Sequence, residues 1–169
     1  MNIRQIQESD AASFLVMQHQ LDEQSPYMLY TPGERQTTVS QTQKRIQGVN
    51  EAGDLLLVVF DEDNHALGYL QAVRGGTEKI RHSAYIVVGL LHQIQRQGIG
   101  TQLFQKLERW ARHEQIRRLE LTVITQNEGG VRLYQKAGFE IEGTKKQAIY
   151  QNGCYLDEYY MAKLLDLMV

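Results

Sequence analysis

Two glycines one residue apart, Gly98 and Gly100, stand between an apolar run and a helical pattern. Tyr85 to Leu91 reads as a strand, and Ile99, Leu103, Leu107, Trp110 and Ala111 recur on one face of a helix. The stretch Gln95-Arg96-Gln97-Gly98-Ile99-Gly100-Thr101 is therefore a strand-to-helix turn. Its glycines remove the β-carbons that would hold a ligand off the backbone, and the first helical turn offers N–H groups with no internal partner. Such donors, at the positive end of a helix dipole, suit a phosphate or diphosphate. An ordinary tight turn explains two glycines equally well. The standard nucleotide loops do not fit: Thr101 and Gln102 follow Gly100 where a P-loop needs lysine, and Leu103 stands where a dinucleotide loop needs a third glycine.

Around this turn the chain alternates strand and helix signals. Asn2–Gln7 reads as a strand, and Ser9 or Asp10 is placed to cap a helix carrying Phe14, Leu15, Met17 and Leu21. Both prolines fall in the loop Ser25–Gln36, whose Tyr27, Met28 and Tyr30 either pin it to the core or line a pocket where aromatic faces hold a cationic amine. A polar helix over Thr37–Glu51 ends near Gly53. Strands are predicted at Asp54–Asp61, Ala66–Val73 and Lys79–Leu91, joined by short turns into an antiparallel meander. The helix Gly98–His113 then leads to an alternating strand, Arg117–Ile124, so strand, helix and strand form a right-handed crossover between parallel neighbours. A helix over Asn127–Ala137 stops at Gly138 and Phe139 starts another strand. Asn152-Gly153 signals a hairpin between Gly143–Tyr150 and Tyr155–Leu164. The result is a mixed-sheet α/β chain of order β-α-α-β-β-β-α-β-α-β-β.

Length and charge narrow the function classes. A chain of 169 residues predicts one domain over 1–169, and the net charge of -2 argues against a dedicated nucleic-acid binder. A lone cysteine, Cys154, forms no internal disulfide, and the five histidines lack metal-ligand spacing, so no metal is expected. Met1–Asp10 lacks the pattern of a secretory signal and the longest apolar run, Leu55–Phe60, is too short to span a bilayer; the expectation is a cytoplasmic protein with no membrane partner.

Gln95, Gly98 and Gly100 match the Gln/Arg-x-x-Gly-x-Gly/Ala signature of the GNAT superfamily of N-acetyltransferases. Downstream, Asn127 to Phe139, with Leu133-Tyr134-Gln135-Lys136-Ala137-Gly138-Phe139, resembles the same family's Asn...Leu-Tyr-x-Lys-x-Gly-Phe segment. The resemblance implies the acyl-CoA N-acyltransferase fold, acetyl-CoA as cosubstrate, and a primary amine as acceptor: a small molecule, an amino acid or a protein N-terminus. It implies that Leu90 and His92 offer main-chain contacts to the pantetheine arm beside Gly89. It assigns the coenzyme's diphosphate to Gln95, Arg96, Gln97, Gly98, Ile99, Gly100 and Thr101. Asn127 would bind pantetheine or steady the loop before its helix, and Tyr134 would be the general acid for the coenzyme A thiolate. Arg132 and Lys136 read as solvated helix charges.

The acceptor side is less familiar. Many relatives carry a glutamate as base on the fourth or fifth strand, and those positions hold Tyr85 and Thr122 here. Glu120, on the face of Thr122, and His82, placed on the fourth strand, are the candidates to act through water. Tyr27, Tyr30 and Tyr85 are candidate acceptor contacts, and Asp157 and Glu158 could attract a cation. An α-amine with a pKa near 8 needs less help than a lysine-like amine near 10.4, so the missing carboxylates favour an α-amine or a water-relayed proton path. The alternatives are a non-catalytic acyl-CoA-binding protein on the same fold, or a transferase for another acyl group. By analogy with the superfamily the final hairpin would be the surface of a homodimer.

Overall fold

The computed structural model describes residues 1–167. Among the described residues, seven strands follow the sheet order β1-β2-β3-β4-β5-β7-β6, with four α-helices, in the chain order expected from the sequence. Backbone contacts divide the chain into two compact units, Met1–Val73 with Val87–Leu103, and Arg74–Ile86 with Phe104 onward.

The first unit contains β1 (Asn2–Gln5), α1 (Ala11–Gln24), α2 (Val39–Ala52), β2 (Leu55–Phe60) and most of β3 (Ala66–Arg74). It also holds the second half of β4 (Ser83–Leu90) and the first turn of α3 (Ile99–His113). Every residue of β2 is buried between antiparallel neighbours, Ile3 facing Val59 on one side and Leu70 facing Leu57 on the other. Phe14, Met17 and Leu21 of α1 and Ile46 of α2 are at most 1% exposed and form its core with Leu56, Val58 and Phe60. α2 starts as its sequence prescribes: Thr38 and Gln41 exchange side-chain-to-backbone bonds of 3.2 and 2.9 Å, satisfying two free N–H groups, and Gly53 closes the helix at φ 70°. At α1 the expectation fails. Asp10 occupies the position before the helix but does not cap it; it pairs with Arg4 at 2.7 and 2.9 Å and accepts from Gln7 N–H at 2.8 Å, closing the 3-10 turn Glu8–Asp10 instead. A bidentate guanidinium outcompetes a helix N–H for that carboxylate.

The second unit comprises the first half of β4, the rest of α3, β5 (Arg118–Ile124), α4 (Glu128–Lys136), β6 (Glu140–Gln151) and β7 (Cys154–Leu164). β4 and β5 are parallel, paired over Ser83–Tyr85 against Arg118–Glu120, and β7 runs antiparallel to both β5 and β6. Leu119, Leu121 and Val123 are buried while Arg118, Glu120 and Thr122 are half-exposed, the alternation read in the sequence. Asn152 and Gly153 turn the hairpin with φ of 51° and 77°, the two left-handed residues a type I′ turn requires. The strand predicted from Lys79 begins only at Ser83. Ile80 N–H bonds the Thr77 carbonyl (3.1 Å) and Ser83 N–H bonds Ile80 (3.0 Å), so local turns take the backbone groups that a longer strand would have used.

Candidate active site

In the first unit, β4 ends at Leu90 and a 3-10 turn over His92–Ile94 leads to the glycine turn. Gln95 reaches back to donate to the Leu90 carbonyl (2.9 Å), and Gln97 donates to the Gln93 carbonyl (2.7 Å), so two side chains brace the turn from within. Arg96 and Gly98 both take left-handed conformations, φ 59° and 78°. For arginine that conformation costs energy and is held by the flanking structure. A β-carbon on Gly98 would meet no protein atom within 4 Å, so the glycine opens onto free space. The first helical bond of α3 runs from Gln102 N–H to the Gly98 carbonyl (3.1 Å), which leaves the N–H groups of Gly98, Ile99, Gly100 and Thr101 ahead of the helical ladder. That arrangement suits an anion.

The main-chain contacts expected at Leu90 and His92 are partly taken. His92 N–H donates to Gln24 Oε1 (2.9 Å), and the Leu90 carbonyl carries the Gln95 amide. Side chains crowd Gly89: a β-carbon there would lie 2.8 Å from Leu21 Cδ1, 3.0 Å from Tyr69 Cε1 and 3.4 Å from Met28 Cε. Met28 thus packs the loop against β4. Tyr27 and Tyr30 are 41% and 40% exposed, but the Tyr30 ring already lies 4.4 Å beneath the Arg35 guanidinium, so a cation occupies one of its faces. Arg35 is itself buried against Asp22, with bonds of 2.7 and 3.0 Å, and this pairing holds the guanidinium above the ordinary arginine value.

In the second unit, Asn127 is the N-cap of α4; its Oδ1 accepts from Gly130 N–H at 3.0 Å. It precedes the helix, so Asn127 closes one end of α4 and the Tyr134 ring stands nearly two turns along. Tyr134 is half-buried, edge-to-face with Phe104 at 5.8 Å and tilted against Phe139 at 6.3 Å. Tyr85, 42% exposed, hydrogen-bonds Thr122 Oγ1 at 2.8 Å. The two positions where a carboxylate was sought are occupied by hydroxyls bonded to each other.

The weaker candidates are engaged elsewhere. Glu120 is bound to Arg118 Nε, and Glu142 takes the other edge of the same guanidinium, which is held well above the ordinary arginine value by both carboxylates. His82 lies in the turn before β4 rather than on the strand, and its carbonyl receives the N–H groups of Arg117 and Arg118 at 2.8 and 3.0 Å. Asp157 accepts from Gln147 N–H (2.8 Å) and Glu158 stands 3.8 Å from Lys145. Arg132 pairs with Glu128 at 3.4 Å on the exposed surface, and Lys136 is exposed. Among the described residues no group of three metal-ligating side chains occurs and no helix is long and apolar enough to cross a membrane.

Residues 16–139 match the acetyltransferase (GNAT) family, a span that includes the glycine turn, Asn127, Tyr134 and the motif through Phe139. The chain belongs to that family. Among curated relatives, the GNAT chain is 41% identical over 63 residues to the L-amino acid N-acetyltransferase AaaT of Escherichia coli, covering 37% of each chain. It is 32% identical over 110 residues to the probable N-acetyltransferase san of Drosophila melanogaster, which is 64% of this chain and 59% of that one. It therefore spans less than two thirds of either relative. Among solved structures, a GNAT-family acetyltransferase from Streptococcus pneumoniae superposes with a TM-score of 0.92 at 24% identity, over 98% of this chain and 99% of that one. The yncA protein of Salmonella typhimurium, a putative acetyltransferase solved with its cofactor acetyl-CoA, gives 0.86 at 20% identity, over 100% and 96%. At those identities the likeness speaks for the GNAT fold.

Three features of this GNAT chain were invisible in the sequence: the Asp22–Arg35 pair, the Arg45–Gln71 bond and the Tyr85–Thr122 bond. Their partners lie 13, 26 and 37 residues apart, so no local pattern joins them.

Proposed function

We propose that the protein is an N-acetyltransferase that moves the acetyl group of acetyl-CoA to a primary amine. The observation that carries this reading is the brace around Gly98. A left-handed glycine open to free space and a helix start with uncommitted N–H groups stand in the segment that the family uses for the coenzyme's diphosphate. Bound acetyl-CoA supplies an activated acyl carbon: the amine nitrogen bonds to it as the carbon–sulfur bond breaks, and the nitrogen loses one proton while the sulfur gains one. Gly98–Thr101 hold the diphosphate, Leu90 and His92 line the pantetheine arm, and Asn127 keeps the first turn of α4 closed. Tyr134 gives its phenolic proton to the departing sulfur, its ring set by Phe104 and Phe139.

The acceptor most consistent with this site is an α-amine. With two hydroxyls, Tyr85 and Thr122, where a carboxylate would stand, the acceptor must lose its proton largely unaided, which is easier for an α-amine than for the more basic side chain of lysine. The likeness to an L-amino acid N-acetyltransferase supports the same class. Release of coenzyme A thiol from acetyl-CoA across a panel of amino acids, peptides and polyamines tests the proposal. Turnover with at least one α-amine is expected, and coenzyme binding with no transfer to any amine would replace the enzyme by an acyl-CoA-binding protein. The Tyr85–Thr122 bond is the one observation that favours that second reading, because it consumes the groups at the base position.

A further inference from the structure

In the first unit the bond from Leu91 N–H to the Leu67 carbonyl (3.0 Å) sets β4 against β3 with Gly68 opposite Leu90, Tyr69 opposite Gly89 and Gln71 opposite Val87. Side chains alternate across a strand, so Tyr69, Gln71, Val87 and the bare Gly89 share one face. The same face receives Leu21 and Met28 over Gly89. Val87 remains 38% exposed, an apolar residue left open to solvent.

Three charged groups border this face. Asp22 and Arg35 neutralise one another in a buried pair, with side chains 2% and 8% exposed. The third, Arg45 of α2, donates to Gln71 Oε1 at 2.6 Å and has no carboxylate within ion-pair distance among the described residues. Gln71 is 7% exposed, so a buried neutral amide fixes one edge of the guanidinium and leaves its charge unmatched. Burial pushes the Tyr69 phenol above its ordinary value while Arg45 and Arg35 pull it back, which places both cations around that ring. The cluster carries one net positive charge, held on a fork whose geometry fits a carboxylate in a bidentate pair.

We propose that Arg45, positioned by Gln71, binds a carboxylate of the acceptor, so that the substrate is a free amino acid rather than a protein N-terminus or a simple amine. The inference rests on the transferase reading above, in which the pantetheine arm runs along Leu90 and His92 and brings its thioester end toward Gly89 and Val87 on the same strand. Two strand residues, about 7 Å, separate Gly89 from Val87, a span covered by the amine and carboxylate of one amino acid together with the bonds from the guanidinium. An amide or peptide carbonyl at that place offers no charge to Arg45. An amine without a carboxylate leaves the guanidinium with Gln71 alone.

The test compares the twenty L-amino acids with their primary amides as acceptors, for the native protein and for Arg45→Gln and Arg45→Lys. Arg45 is itself exposed, so the variants are expected to fold and to melt cooperatively, with loss of the Gln71 bond lowering the melting temperature by at most about 4 °C. The native enzyme is expected to prefer the acids, and Arg45→Gln to raise KM for them by about 10- to 100-fold, the range for a lost charge-assisted pair. The KM for acetyl-CoA and the constants for the amides stay within about twofold, and Arg45→Lys recovers part of the loss. Equal use of acids and amides by the native enzyme, or an equal loss for both in Arg45→Gln, overturns the inference and leaves the transferase intact. Should no amine be acetylated at all, calorimetric titration with the same amino acids in the presence of coenzyme A decides the matter. Binding that Arg45→Gln abolishes keeps the carboxylate site, and absence of binding ends it.

Discussion

A phenol donates a proton to a chosen atom only while its ring is held in place, and Tyr134 is held by Phe104 edge-to-face at 5.8 Å with Phe139 behind it. Tyr134→Phe keeps those ring contacts and removes only the hydroxyl. Its kcat should fall about 100-fold with KM for acetyl-CoA nearly unchanged, read by thiol release; unaltered turnover would remove Tyr134 from the chemistry. Gly98 has the opposite character. Its φ of 78° is strained for any side chain, and the space beyond it is open, so Gly98→Val costs about 1 kcal/mol or more in backbone strain and also plants a branched group where the diphosphate is proposed to sit. Calorimetry should find no acetyl-CoA binding to a variant that still melts cooperatively, and retained affinity would move the coenzyme to another place.

α4 depends on the residue before it more than its length suggests. The helix has nine residues, too few to persist alone, and Asn127 Oδ1 closes its first turn through Gly130 N–H. Asn127→Ala should cost about 1 kcal/mol, or about 2–4 °C in melting temperature, whereas Asn127→Asp retains the cap and most of the stability. A loss shared equally by both variants in thermal melts would show that the amide nitrogen, and not the capping oxygen, matters. Elements of this kind were legible beforehand because their determinants are local. Thr38 with Gln41 marks the start of α2, Asn152-Gly153 marks the hairpin, and alternation from Leu119 to Val123 marks β5. The misreadings have different causes: Asp10 was drawn off by Arg4 six residues away, whereas Ile80 and its neighbours before Ser83 were captured by turns among themselves. In the site the glycine turn could be foreseen in the same way, while the Arg45–Gln71 and Tyr85–Thr122 bonds could not, since each joins residues on different elements.

At the scale of the whole molecule, ion pairs tie distant segments together and set how it tolerates acid. Glu108 of α3 is bonded to Lys163 of β7 (2.7 Å) and to Arg112 (2.8 Å), and Lys163 also donates to the Ala137 carbonyl at the end of α4 (2.8 Å). Hydrogen bonds from Lys163 and Arg112 hold the Glu108 carboxyl below its ordinary value of 4.5, and Arg4 does the same for Asp10 below 3.8. For a carboxyl depressed by folding, the folded state binds its proton less readily than the unfolded chain. Its contribution is therefore complete above the ordinary value and disappears as the pH drops through the lower, folded one. Glu108→Gln should melt about 2–4 °C below the native protein at pH 7, and the gap should narrow as the pH falls below 4.5. A gap that stays constant as the pH is lowered would mean that packing, not charge, is what the substitution removed.

The β6–β7 ribbon bears on how copies of the chain could meet. β6 is the last strand of the sheet, and its register with β7 slips between Ile141 and Gly143 and again between Lys145 and Ile149. A visiting strand laid along that outer margin would lose alignment twice within twelve residues, so open-ended stacking of sheets is discouraged by geometry before any repulsion is counted. On the faces of the ribbon the margin gives way to side chains, and Tyr150 and Tyr155 lean together at 5.0 Å beside the turn, both open to solvent.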